Sequence, residues 1–156
     1  MKFEYWVIGK TKEKYLISAE GEFLKRLQRY TKLNYRVFSD VKSKGREIEI
    51  IKSQEAEMIL GQCLDQDYLI LLDEKGLEYS SMKFSKKIAD LQRSTYKRVI
   101  FLTGGAYGFH KRIYQRAQEK LSLSKMTFSH QMIRTFFLEQ FYRAHTILRG
   151  EKYHNE

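Results

Sequence analysis

Short apolar runs alternate with segments of helical period along the whole chain, and this alternation restricts the fold more than any other feature. Phe3–Ile8 (FEYWVI), Tyr35–Phe38, Tyr68–Leu72 (YLILL), Val99–Leu102 and Leu121–Leu123 read as five strands. The intervening segments are Leu16–Leu33, Ile48–Leu64, a stretch after Ser80 or Ser81 carrying Phe84, Ile88 and Leu91, His110–Lys120, and His130–Leu148. Their apolar residues recur broadly at the three- and four-residue spacing of helices. Strict β-α alternation predicts an α/β fold with a mostly parallel sheet and helices on both faces. The unbroken YLILL run is what a strand covered on both faces requires. With 156 residues, 42% of them hydrophobic, and no repeat or linker, residues 1–156 are expected to form one domain.

Two helical stripes are irregular. Glu55 interrupts the face formed by Ile48, Ile51, Met58 and Ile59. In the last helix Ile133, Phe136, Phe137, Phe141, Ala144 and Leu148 form one stripe, while Met132, Leu138 and Tyr142 fall off it. An apolar girth that wide has two readings: burial within one protomer, or a second contact surface such as a homodimer interface.

Composition narrows the function classes. No apolar run approaches the roughly 18 residues of a membrane span, and MKFEYWVIGK is too short and too soon interrupted for a signal peptide, so a cytoplasmic protein is expected. Cys63 is the only cysteine, which excludes an internal disulfide and a cysteine-cluster metal site. At the end of a helix it reads as a buried residue. His110, His130, His145 and His154 lack metal-ligand spacing and read as surface or capping residues, so no metal is expected. Residues 1–79 carry 14 Lys/Arg and 14 Asp/Glu, whereas residues 80–156 carry 15 and 5, so the entire net charge of +10 lies in the second half. Such asymmetry fits a nucleic-acid partner; a solvated basic surface is the competing reading.

In an open parallel sheet, ligands bind beyond the carboxyl ends of the strands. Three segments leave strands there: Leu71–Gly76 (LLDEKG), in which DEKG is expected to turn the chain, Thr103–Gly108 (TGGAYG) and Leu123–His130 (LSKMTFSH). TGGAYG follows the fourth strand and has neither the G-x-G-x-x-G spacing nor a Walker lysine, which disfavours dinucleotide and ATP phosphate cradles. Ser124 and Ser129 lack a nucleophile-elbow context. The tail, with Arg149, Lys152, Tyr153 and His154, suits stacking on an RNA base beside its phosphates; a frayed terminus would look similar.

Taken together, LLDEKG, FLTGGAYG, LSLSKMTFSHQM and YRAHTILRGEKYH, in this order and spacing, resemble the RlmH family of SPOUT-class (α/β-knot) methyltransferases across essentially the whole chain. The resemblance implies a C-terminal trefoil knot, a homodimer, and S-adenosylmethionine as cofactor. It implies methylation of N3 of a pseudouridine in 23S rRNA, at the subunit-interface stem-loop of the assembled ribosome. Family cofactor positions fall on Leu72, Gly104, Gly105, Leu123, Ser124, Lys125, Met126, Thr127 and Phe128. Substrate-handling positions fall on His130, Arg143, Tyr153 and His154, with no acidic general base evident. The tail would complete the site across the dimer. Ser129 replaces the family's usual proline; serine is a good N-cap, so the helix start is expected to survive in a less rigid loop. A non-catalytic ribosome- or RNA-binding protein of the same fold, and a binder of another adenine nucleotide, are the alternative readings.

Overall fold

Strand side chains alternate between two faces, and in this chain both faces are apolar. A computed structural model describes residues 1–42 and 44–155. Five strands, β1 (Lys2–Ile8), β2 (Leu33–Phe38), β3 (Tyr68–Glu78), β4 (Arg98–Thr103) and β5 (Glu119–Ser122), form one sheet in the order β2-β1-β4-β3-β5. Every neighbouring pair is parallel. On one face Phe3, Tyr5, Val7, Ile70, Leu72, Val99 and Phe101 pack against helices α1 (Lys14–Leu27), α3 (Ser81–Arg93) and α5 (Met132–Leu148). On the other, Trp6, Ile8, Leu69, Leu71, Ile100 and Leu102 meet α2 (Ile48–Leu60) and α4 (Lys111–Arg116). Double coverage explains the near-continuous apolar strands.

The expected alternation of elements is present throughout, and Ser80 caps α3 by accepting the Lys83 N–H at 3.1 Å. Several boundaries differ. The first helix stops at Leu27 instead of reaching Leu33, because its last turn tightens into Arg29 N–H to Arg26 and Tyr30 N–H to Leu27 bonds. Leu33 is thereby released to pair with Phe3 in the sheet. The second helix ends at Leu60, so Cys63 lies in the following loop, half-buried, and burial raises its thiol pKa. In α2 the buried face is Ile51, Glu55, Ala56 and Ile59, whereas Ile48 is exposed. The predicted basic loop at 42–47 includes Ser43, outside the described residues.

Helix α4 is a single basic turn and a half, capped by His110, whose Nδ1 accepts the Arg112 N–H at 3.1 Å. The end of the predicted helix, Glu119 and Lys120, belongs instead to β5; just before it Gln118 takes the Leu69 N–H at 2.7 Å and donates its own N–H to the Leu69 carbonyl at 2.9 Å, drawing the chain onto the edge of β3. DEKG does not end β3. Leu72 and Leu77 both pair with Leu121, so residues 73–76 bulge out of a strand that continues to Glu78. In α5 the buried face is Arg134, Phe137, Leu138, Phe141, Ala144 and His145, while Phe136 and Leu148 face outward. Leu138 therefore belongs to the core and Phe136 does not.

Two outcomes follow for stability. Phe137 is fully buried, its ring centroid 4.4 Å from that of Tyr5 and 4.8 Å from that of Phe101. Phe137→Ala should cost about 3–5 kcal/mol in urea unfolding. His145 is buried, edge-on to Phe141, and burial followed by the charge of Arg149 lowers its pKa from 6.5 to about 4. The fold favours the neutral ring, so this contribution is present above pH 6.5 and lost as the pH falls through 4. His145→Phe should flatten the decline in stability across that window.

Candidate functional site

The carboxyl ends of β3 and β4 and the segment between β5 and α5 enclose a cleft of about 370 Å³, within the range of small-molecule sites. Each wall is fixed by local chemistry.

The first wall is the glycine turn. Thr103 closes β4, its hydroxyl 2.6 Å from that of Tyr5. Gly104 and Gly105 have no positive φ, so backbone conformation does not demand glycine there. Close packing does. A Cβ on Gly104 would sit 3.1 Å from the Phe109 ring, and one on Gly105 would sit 2.3 Å from the Glu55 carboxylate. Gly108 does need its freedom: at φ 80° it closes a tight turn, its N–H donating to the Gly105 carbonyl at 3.2 Å. Ala106 and Tyr107 form the tip, and Tyr107 stands on the rim.

The second wall is the β3 bulge. Asp73 accepts the Lys75 N–H at 2.8 Å and the Tyr114 hydroxyl at 2.5 Å, binding the bulge to α4. Glu74 accepts the Thr127 hydroxyl at 2.6 Å, binding it to the third wall. Gly76 lies against β5, where a Cβ would come 2.5 Å from the Lys120 carbonyl carbon.

The third wall, 123–130, is folded on its serines. The Ser122 hydroxyl donates to the Ser124 carbonyl, and the Ser124 hydroxyl accepts the Met126 N–H at 3.0 Å. Ser129 accepts the Met132 N–H at 3.0 Å, which supplies the expected cap at the entrance to α5 although regular helix begins only at Met132.

Behind this wall lies Arg134, fully buried. Its guanidinium donates to the carbonyls of Ile8 (2.8 Å), Gly9 (2.7 Å) and His130 (3.1 Å) and to the Thr11 hydroxyl (3.0 Å). The end of β1 and the end of the cleft loop are thus held by one cation. Burial and that cation lower the pKa of His130, against a smaller opposing effect of Asp40.

Leu72, Gly104, Gly105, Leu123, Ser124, Met126, Thr127 and Phe128 all line the cleft, and Lys125 does not. Leu72 and Leu123 supply apolar wall, whereas Met126 is 78% exposed at the loop tip. The four substrate-handling positions fall in two places. His130 is in the cleft. Arg143, Tyr153 and His154 meet at the far end of α5: Arg143 Nη1 is 3.1 Å from His154 Nδ1, and its guanidinium lies 4.7 Å from the Tyr153 ring centroid. Ile133 lines the cleft and Arg143 follows ten residues later, about 15 Å along the helix. The tail is anchored, not frayed; the Tyr30 hydroxyl donates to Glu151 at 2.6 Å.

Sequence reasoning missed Asp73, Glu74, Tyr114 and Arg134. Acid residues in a presumed turn, a tyrosine in a basic helix and an arginine beside an apolar stripe carry no local signal of the bonds they make. Glu55 did leave a signal, as the charge that spoiled a stripe.

Among the described residues no group of three or more His, Cys, Asp or Glu is placed to hold a metal ion, and no helix is long and apolar enough to cross a membrane. A parallel sheet covered on both faces, with a cleft between the end of β4, the β3 bulge and the segment before α5, defines an α/β domain. Residues 1–154 match the family described as "Predicted SPOUT methyltransferase", and the chain belongs to that family. It is 45% identical over 155 residues to the ribosomal RNA large subunit methyltransferase H of Cytophaga hutchinsonii, covering 99% of this chain and 100% of that protein. It is 47% identical over 157 residues to the protein of the same name from Parabacteroides distasonis, covering 100% of both. The family implies a methyl donor.

Glu55 offers a test of the first wall. Burial, then the nearby charge of Asp40, raises its pKa from 4.5 to about 7. The fold favours the protonated carboxyl, so this contribution is present below pH 4.5 and lost as the pH rises through 7. Glu55→Gln should therefore gain stability relative to the parent above pH 7, by up to about 3 kcal/mol in urea unfolding. Arg134→Met should lose stability in the same assay, by about 1–3 kcal/mol for each buried carbonyl left without a donor.

Proposed function

We propose that the protein is a homodimeric methyltransferase that uses S-adenosylmethionine to methylate N3 of a pseudouridine in 23S rRNA on the assembled ribosome, in the cytoplasm. Full-length identity of 45–47% to proteins named ribosomal RNA large subunit methyltransferase H carries the substrate class. The excess basic charge of residues 80–156 supports an RNA partner.

S-adenosylmethionine, when bound, supplies a methyl group activated by its positive sulfur. Leu72, Leu123 and Phe128 offer the apolar wall for its adenine, and the peptide groups from Gly104 to Gly108 offer polar edges. For N3 to accept that methyl group, its proton would have to be taken by a group of the site. Tyr153 stacks on or orients the base, Arg143 draws charge toward a base carbonyl, and His154 is the candidate to assist proton removal. Because a guanidinium only donates, the Arg143–His154 contact places the imidazole proton on Nε2. Nδ1 must then leave Arg143 before it can accept a proton, which substrate engagement of Arg143 would achieve.

The single observation that carries the dimer reading is the gap of about 15 Å between the cleft and the Arg143–Tyr153–His154 cluster of the same chain. The corresponding cluster of a second protomer would bridge that gap. The outward face of α5 suits that assembly: Phe136 and Gln140 border a groove of about 150 Å³ with Tyr79, Phe84, Leu123 and Phe128. A knotted C-terminal segment completes the proposal, on family grounds.

Ribosomes lacking the modification should accept labelled methyl from the protein, and free rRNA should do so poorly; equal labelling of both would remove ribosome recognition. Deleting 153–156 should abolish transfer while calorimetry still shows donor binding near the parent affinity. Absence of donor binding by the intact protein would overturn the enzyme reading itself.

A further inference from the structure

The tail cluster has a centre that neither motif nor family position marks. Glu139 stands one turn before Arg143 on α5, and its Oε1 accepts both the Arg143 guanidinium at 2.5 Å and the Tyr153 hydroxyl at 2.9 Å. Its second oxygen accepts the Gln140 amide at 2.9 Å. The two partners differ in kind: Arg143 is on the same helix, whereas Tyr153 belongs to the tail, fourteen residues away in sequence. One carboxylate oxygen therefore joins a helix to the segment beyond it.

The consequences are geometric. With one guanidinium nitrogen fixed by Glu139, the plane of Arg143 lies over the Tyr153 ring, and the other nitrogen reaches His154 Nδ1 at 3.1 Å. Tyr142 closes the far side of Tyr153, its ring centroid 4.8 Å away and nearly perpendicular. Glu139 and Arg143 are 19% and 23% exposed. An ion pair of that exposure and spacing contributes little to global stability, but a hydrogen bond shared by three side chains restricts their relative positions. Burial and the Glu139 bond raise the Tyr153 pKa, so the phenol stays protonated and remains a donor.

We propose that Glu139 is a positioning residue for methyl transfer: through one carboxylate oxygen it sets Arg143 and Tyr153, and through Arg143 also His154, in the arrangement they present to the substrate base. The inference rests on the reading of this tail as the substrate-handling part of the site. It adds a residue that touches neither substrate nor donor.

The test uses the full-length protein, ribosomes lacking the modification, and labelled S-adenosylmethionine. Glu139→Ala should lower kcat by about 10- to 100-fold, the loss expected when reacting groups are misplaced by about 1 Å. Donor affinity and the thermal midpoint should remain near the parent values. Glu139→Gln, which keeps the acceptor oxygen, should recover most of the rate. Independently of turnover, trypsin should cut after Lys152 faster in Glu139→Ala than in the parent. An active parent with a fully active Glu139→Ala variant, or unchanged trypsin cleavage, would each overturn the role of Glu139. A parent that binds donor yet transfers no methyl overturns the enzyme reading instead, and the trypsin comparison then still decides whether Glu139 orders the tail.

Discussion

A buried guanidinium bonded to backbone carbonyls holds the working end of this molecule together. Arg134 is fully excluded from solvent, and its guanidinium donates to the carbonyls of Ile8, Gly9 and His130 and to the Thr11 hydroxyl. Burying a charge is costly unless its donors are satisfied, and here four of its contacts lie between 2.7 and 3.1 Å. The arrangement joins the first strand, at one end of the sequence, to the start of the last helix, at the other. Gln131 reinforces the junction, donating to the Lys10 carbonyl and accepting the Lys12 N–H. The direction in which α5 leaves the cleft, and hence where its far end places Arg143, depends on that junction.

The glycine-rich turn illustrates how a residue type can be read correctly for an incomplete reason. A double glycine after a strand invites the explanation that peptide groups must approach a ligand. Phe109 and Glu55 occupy the space a side chain would need at Gly104 and Gly105. The requirement comes from behind the wall as much as from the cleft. Phe109 also packs edge-on against Tyr114, which holds the bulge through Asp73, so the turn and the bulge share one support.

Legibility in the sequence followed the range of the forces involved. β1, β4 and α3 were readable because their patterns arise from local alternation, and from a capping serine three residues from its donor. The end of α1 was not, because Leu33 continues the apolar rhythm while its place is set by pairing with Phe3 across the sheet. Gln118–Lys120 look helical until the edge of β3 captures them. Phe136 and Leu138 exchange roles because helix phase alone does not say which side meets the sheet. The family motifs assigned roles to residues around the cleft but none to Arg134, Asp73 or Glu74, whose bonds to Ile8, Tyr114 and Thr127 span 126, 41 and 53 positions.

The bulge at 73–76 has a thermodynamic meaning. Strand β3 resumes after it and pairs again with Leu121, so both its ends are clamped to the sheet, while Asp73 and Glu74 reach α4 and the Leu123–His130 segment. Two walls of the cleft are therefore cross-braced before any ligand arrives. A molecule entering it meets a surface whose conformational entropy was surrendered during folding, so its own contacts are not offset by the ordering of those walls. The exception is the tip at Lys125 and Met126, where Met126 stands mostly in solvent. A side chain so placed can be changed to tune affinity without disturbing the frame.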